Sequence, residues 1–158
     1  MIPDVYVVGV DPGPSTGIFV LRNGARFAVY QGPHEGAISS LASLLATFKL
    51  AGAHVHLACE RYVSSSEPGR THQAVPQQVV GQVMALAVRF NFAIEIQTPA
   101  DAKRAAPNAL LRRLGFYVTR GDVDRPDAND ANDAARHAVL LLMTCYASVF
   151  ERLLSSQP

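Results

Sequence analysis

The first apolar run, Val5 to Val10, is nearly continuous and rich in β-branched residues, the pattern of a strand buried on both faces. Asp11-Pro12-Gly13-Pro14 ends it with turn residues. A second strand is expected over Thr16 to Leu21 and a third over Ala25 to Tyr30, joined by Asn23-Gly24, a strong two-residue hairpin signal. The chain therefore opens as a three-stranded antiparallel meander. Ile38, Leu41, Leu44, Leu45 and Phe48 then recur at helical spacing within Glu35 to Leu50, and Gly52 stops that helix. Val55 to Cys59 reads as a strand ending at Glu60, and Arg61 to Thr71 as a loop rich in Ser, Gly and charge. A helix over Val75 to Phe92 and a strand over Ala93 to Gln97 follow. Thr98-Pro99-Ala100-Asp101 has the form of a helix start, with Thr as N-cap, Pro in the first position and an acid in the third. A short helix from about Asn108 to Leu114 closes at Gly115, a polar loop covers Arg120 to Pro126, and one long helix is expected from about Asp127 to Leu154.

A meander, two helix–strand units and a closing helix predict an α/β fold. Its sheet is mixed and five-stranded, antiparallel early and parallel late, with helices on both faces. At 158 residues, 49% apolar and 17% charged, the chain suits one globular domain over 1–158. The longest apolar run, Ala138 to Phe150, is broken by Thr144 and Ser148 and falls short of the ~20 residues a bilayer span needs, so no membrane partner is expected. Met1-Ile2-Pro3-Asp4 carries no basic stretch, so no signal peptide is expected. Cys59 and Cys145 lie in apolar segments and read as buried free thiols of a reducing compartment, without the spacing of a disulfide or zinc framework.

The net charge of +1 hides an uneven distribution. Between Arg61 and Arg120 basic residues exceed acidic ones by five, and from Gly121 onward acidic residues exceed basic ones by three. A basic middle beside an acidic cluster suits a polyanion-binding surface next to a metal site, although ordinary surface charge produces the same count.

The candidate chemistry lies in the carboxylates. Asp11 closes the first strand and Glu60 the fourth, and groups at the carboxyl ends of adjacent strands converge in open α/β sheets. Asp130 and Asp133 are three apart near the start of the last helix and share a face, with Asp127 one turn earlier. Converging carboxylates without matching Lys or Arg call for divalent metal, and hard oxygen donors suit magnesium or manganese. Two ions about 4 Å apart can serve phosphodiester cleavage. Each acid also has a plainer reading: Asp11 as a turn former, Glu60 as a solvated strand-end residue, and Asp127, Asp130 and Asp133 as first-turn acids that complement the helix dipole. The plainer reading fits Asp127 well and Asp133 less, because Asp133 lies deeper in the helix.

Val7-Val8-Gly9-Val10-Asp11-Pro12-Gly13-Pro14-Ser15-Thr16-Gly17 resembles the opening motif of RuvC-type Holliday junction resolvases, which have a ribonuclease-H-like fold. Leu57-Ala58-Cys59-Glu60 resembles that family's second acidic motif, Gly81-Gln82-Val83 its following helix, and Asp130-Ala131-Asn132-Asp133-Ala134-Ala135 its terminal motif. Asp133 to Ala138 also looks like small RuvC-like proteins of bacteriophages. The resemblance implies a homodimer acting in a bacterial or host cytoplasm, with a four-way DNA junction as substrate and paired nicks made with Mg2+ (Mn2+ substituting), two ions per site. It makes Asp11, Glu60, Asp130 and Asp133 the metal ligands and puts Lys103 near the scissile phosphate, where a solvated helix charge is the plainer reading. The family's second lysine has no counterpart in the shortened Arg104-Ala105-Ala106-Pro107, so Arg112 or Arg113 is the candidate substitute. Where the family has an aromatic wedge stands Tyr62, beside Arg61, either stacking on an exposed base or anchoring the core. Arg70 and His72, in the same loop, are further DNA candidates. His137, one turn after Asp133, either faces the site as ligand or proton carrier or is a half-buried, hydrogen-bonded histidine.

Three other functions bear on this reading. A looser debranching nuclease would cut flaps and forks as well. A catalytically inactive homologue would bind branched DNA only. The sugar kinase and actin fold also opens with Asp-x-Gly-x-x-x-Thr-Gly, but it needs a second phosphate-binding half and a longer chain, so 158 residues argue strongly against it.

Overall fold

The valine-rich first run forms β1 (Val5–Asp11), the central strand in a computed structural model that describes residues 3–62 and 74–156. β2 (Ser15–Arg22) and β3 (Ala25–Pro33) complete the meander, β4 (His54–Glu60) and β5 (Ala93–Gln97) add the other side, and the sheet order is β3-β2-β1-β4-β5. β1 pairs antiparallel with β2 and parallel with β4, which pairs parallel with β5. This is the mixed five-stranded sheet that the order of elements predicts. Asn23 (φ 51°) and Gly24 (φ 86°) both take the left-handed conformation that a type I′ hairpin turn requires.

Alternation along β1 sends Tyr6, Val8 and Val10 to one face and Val7 and Gly9 to the other. The first set packs with Ile18, Val20, Leu57 and Cys59 against α1 (His34–Leu50) and α2 (Ala74–Phe90), through Leu41, Leu45, Val79 and Val83. On the opposite face Val7, Phe19, Leu21 and Ala58 meet α6 (Asn129–Cys145). The core on that face also takes in Leu111 of α4 (Asn108–Arg113). α3 (Pro99–Ala105) begins as its sequence predicts, with the Thr98 hydroxyl accepting from the Asp101 N–H at 3.1 Å. α6 lies unusually close to the sheet, because a Cβ on Gly9 would fall 2.0 Å from the Ala134 carbonyl oxygen, and one on Gly17 2.1 Å from that of Asp130. Glycines below and alanines above (Ala134, Ala135 and Ala138, all fully buried) make this approach possible.

Three expectations change. The long final helix is two, α6 and α7 (Ala147–Ser155), bent by 111° at Tyr146, whose ψ of 45° leaves the helical region. The turn lets Val149, Phe150, Leu153 and Leu154 pack against the core instead of projecting into water, and Val149 and Leu153 close over Gly24. Within the expected polar loop, α5 (Arg120–Val123) forms a single turn, held by a capping box in which Thr119 N–H donates to Asp122 Oδ2 at 2.7 Å. Cys59 is buried, but Cys145 is exposed at the end of α6. Among the described residues no single helix is long and apolar enough to cross a membrane.

Candidate active site

The alternation that places Val7 and Gly9 against α6 also turns Asp11 to that face, and Ala58 likewise carries Glu60 with it. Val10 pairs with Cys59 in the parallel β1–β4 ladder, so Asp11 and Glu60 leave the sheet side by side at its carboxyl edge. Gly17, opposite Asp11 in the β1–β2 ladder, admits the first turn of α6 directly above. That turn brings Asp130 over the edge, with Asp133 three residues further on the same helix face.

The electrostatics record this convergence. The Asp11 carboxyl is pushed up to about 9, first by burial and then by the negative charges of Glu60, Asp133 and Asp130, with Lys103 only partly opposing them. Asp130 is also raised, chiefly by burial, although a hydrogen bond from Ser15 works in the other direction. The Cys59 thiol next to Glu60 points to the other sheet face, away from the acids, and burial pushes it up to about 12.

Each acid has its own support. His137 is 1% exposed, with Nε2 3.0 Å from Glu60 Oε2 and Nδ1 2.9 Å from Gln97 Oε1. Gln97 Nε2 donates to Glu95 Oε2 at 3.4 Å, which orients the amide so that its oxygen accepts from the Nδ1–H of His137. Nε2 then faces Glu60 and fixes the position of that carboxylate. Of the two readings of His137, the buried, hydrogen-bonded one describes its packing, and its partner is nevertheless a site acid. Asp133 faces two cations: Arg136, which also bonds Asn108, and Lys103 at 3.6 Å. The start of α6 is pinned by buried Gln31, whose Nε2 donates to the Asp127 carbonyl at 3.1 Å and whose Oε1 accepts from Ala131 N–H at 2.9 Å. Asp127 accepts from Asn129 N–H at 3.1 Å from just ahead of the helix, so it is neither the N-cap nor the first-turn acid expected of it; Ala128 and Asp130 hold those positions. Ser15, Gln31, Gln97 and Arg136 were not among the candidates of the sequence. Their only sequence signal is a polar residue beside or within an apolar element.

The basic candidates divide. Lys103 is 59% exposed, while Asn108, Tyr117, Asn132 and Arg136 line a 280 Å³ polar pocket with it and Asp133. Arg112 lies 3.9 Å over the Tyr117 ring, one residue removed from that pocket. Arg104 pairs with Asp101 at 2.7 Å on the surface, and Arg113 donates to the Leu154 carbonyl at 3.3 Å, where it holds the end of α7. Arg61 is exposed immediately after Glu60, its N–H bonded to the Gln97 carbonyl, and Tyr62 is half-buried beside it. Arg70 and His72 lie outside the described residues.

The donor set is all carboxylate oxygen, and the pocket holds more negative charge than Lys103 and Arg136 offset, so the residues fit a divalent cation of the magnesium type. Among the described residues, the one group of three ligand-type side chains drawn within 4.8 Å is elsewhere: His56, Glu95 and Cys145, near the other end of α6. The acids around Asp11 stand further apart, as unneutralised carboxylates repel.

Two solved structures share this architecture. Thermus thermophilus RuvC in complex with a Holliday junction substrate aligns with a TM-score of 0.58 and 14% identity, over 98% of this chain and 99% of that one. A Thermus thermophilus RuvC structure aligns at 0.52 and 16%, over 97% and 99%. At such identities the likeness is one of fold. No protein-family model and no curated protein matches the chain.

Proposed function

We propose that this chain is a divalent-metal-dependent endodeoxyribonuclease that resolves four-way DNA junctions by paired phosphodiester hydrolysis, working as a homodimer. The observation that carries the proposal is the convergence of Glu60, Asp133 and Asp130 on the Asp11 carboxyl, which burial first and then those charges push up to about 9. It arises at the carboxyl edge of a fold shared with a RuvC structure bound to a Holliday junction. Asp11, Glu60, Asp130 and Asp133 would hold Mg2+ or Mn2+. When bound, the cation supplies charge neutralisation and activation for attack on a phosphodiester.

The chain's own residues then have distinct tasks. Asp11, between β1 and the first turn of α6, is the acid most penalised by its surroundings and the one a cation relieves most. Glu60 is held in one orientation by His137, itself fixed by Gln97. Lys103 and Arg136 line a polar pocket beside Asp133 and attract a phosphate to the edge of the site. Arg61, Tyr62, Arg70, His72, Arg104 and Arg112 are proposed to touch the arms of the DNA through phosphate and stacking contacts, which read branch shape more than base sequence. Arg113 is the weakest member of that set, because it already binds the end of α7.

One observation favours the binding-only reading. Both Asp133 oxygens already face cations, Arg136 and Lys103, so this acid is the least free of the four to take a metal. The same experiment separates the readings. A labelled four-way junction, with duplex, flap and fork controls, is incubated with Mg2+, Mn2+ or EDTA, alongside Asp11→Asn. Metal-dependent paired nicks confined to the junction and lost in the variant establish a resolvase, and equal cutting of flaps and forks makes it a debranching nuclease. Tight junction binding without cutting in any metal leaves a binding protein. Sedimentation of the free protein tests the homodimer.

A further inference from the structure

We propose that His56, Glu95 and Cys145 form a second metal site, of the zinc type, which fastens the end of α6 to the sheet. Three separate elements supply the ligands: β4 gives His56, β5 gives Glu95 and the last residue of α6 gives Cys145. One ligand atom from each lies within 4.8 Å of the others, and Cys145 Sγ is 3.2 Å from Glu95 Oε1. The edges of a tetrahedral zinc site are about 3.2–3.7 Å, so the sulfur and the carboxylate, joined by the thiol's hydrogen bond, already stand at ligand spacing, with an imidazole nitrogen within 4.8 Å of both.

The surroundings favour that arrangement. Gln97 Nε2 donates to the other Glu95 oxygen at 3.4 Å, which orients the carboxylate as outer hydrogen bonds do around metals. The Tyr146 ring meets His56 edge to face at 6.1 Å and limits the imidazole's rotation. Cys145 is exposed, so a fourth position opens to water. One nitrogen, one oxygen and one sulfur donor select a borderline-soft ion such as Zn2+ over Mg2+. Uptake exchanges the thiol proton for the metal, with that proton released to solvent.

This site is separate from the acids around Asp11. His56 stands four strand positions from Glu60, about 13 Å, and Cys145 eight helical positions from His137, about 12 Å. Its effect is on stability: it ties the corner where α6 turns into α7.

The test uses the full, EDTA-stripped chain titrated with Co2+. A near-ultraviolet thiolate-to-cobalt charge-transfer band with tetrahedral visible bands, at one equivalent, is the expected result. It should persist in Asp11→Asn and disappear in Cys145→Ser, a conservative change at an exposed position. Zn2+ should displace the cobalt and raise the Tm of the parent by several degrees, with no such rise in Cys145→Ser. His56→Ala should weaken zinc about tenfold or more. No charge-transfer band in the parent, or a band that survives Cys145→Ser, overturns the proposal.

Discussion

Asp11 keeps its carboxyl against two opposing demands, burial and the neighbouring charges of Glu60, Asp133 and Asp130. Its folded pKa of about 9 lies above the ordinary 3.8, so without metal the group contributes stability that is complete below about pH 3.8 and is lost as pH rises towards 9. Asp11→Asn removes that dependence. In EDTA at pH 8 the variant should melt above the parent, being more stable by on the order of a few kcal/mol, and the difference should fade towards pH 4. A parent that melts higher at pH 8 would contradict the buried-charge account. Nuclease activity should move the other way, falling about 10³-fold or more if the residue holds the metal. At Glu60 the contact to follow is His137. His137→Ala leaves Gln97 without its partner in a buried position, which costs about 1–3 kcal/mol. It should raise the Mg2+ concentration for half-maximal cleavage by about 10–100-fold, a change that a purely structural histidine would not produce.

Among the elements, α6 decides the site, because its first turn carries Asp130 and Asp133 while its underside rests on Gly9 and Gly17. A methyl group on Gly17 would meet the Asp130 backbone at 2.1 Å and must push the helix start away. Gly17→Ala should therefore lower Tm by several degrees and abolish cleavage even where a folded fraction remains. Gly81, exposed within α2, is the control: its Cβ would meet nothing within 4 Å, so Gly81→Ala should stabilise by about 0.5–1 kcal/mol. Thermal melts of the two variants side by side test this reading of the helix–sheet contact. The 111° turn into α7 follows from the same need for burial, since an uninterrupted helix would leave Phe150 and Leu153 in water.

For the whole molecule, the layout is an acidic pocket at one sheet edge flanked by basic side chains of α3, α6 and the end of β4. If those side chains contact DNA phosphates, junction affinity must fall with salt. Each pair of phosphate contacts costs about tenfold between 50 and 200 mM monovalent salt. Fluorescence anisotropy on a junction should show this slope, and Lys103→Ala should flatten it while leaving the fold intact. An affinity indifferent to salt would remove the phosphate contacts from the proposal.

Strand and helix periodicity, the Asn23-Gly24 hairpin, the Thr98 cap and the order of elements are local properties of the chain, so the sequence by itself determined the mixed sheet and its two covered faces. It also placed Asp11 and Glu60 at strand ends and Asp130 and Asp133 on one helix face, because period and spacing fix direction. Contacts between residues far apart in sequence were decided only in three dimensions. Nothing near His137 indicates that it meets Glu60 and Gln97, and nothing near Gln31 indicates that it caps α6, a hundred residues away. The break at Tyr146 has no proline or glycine to announce it. The exposed Cys145 beside His56 and Glu95 comes from the same turn. Side-chain direction is a short-range matter of backbone geometry, whereas which polar groups must share a buried space is settled by how the layers close.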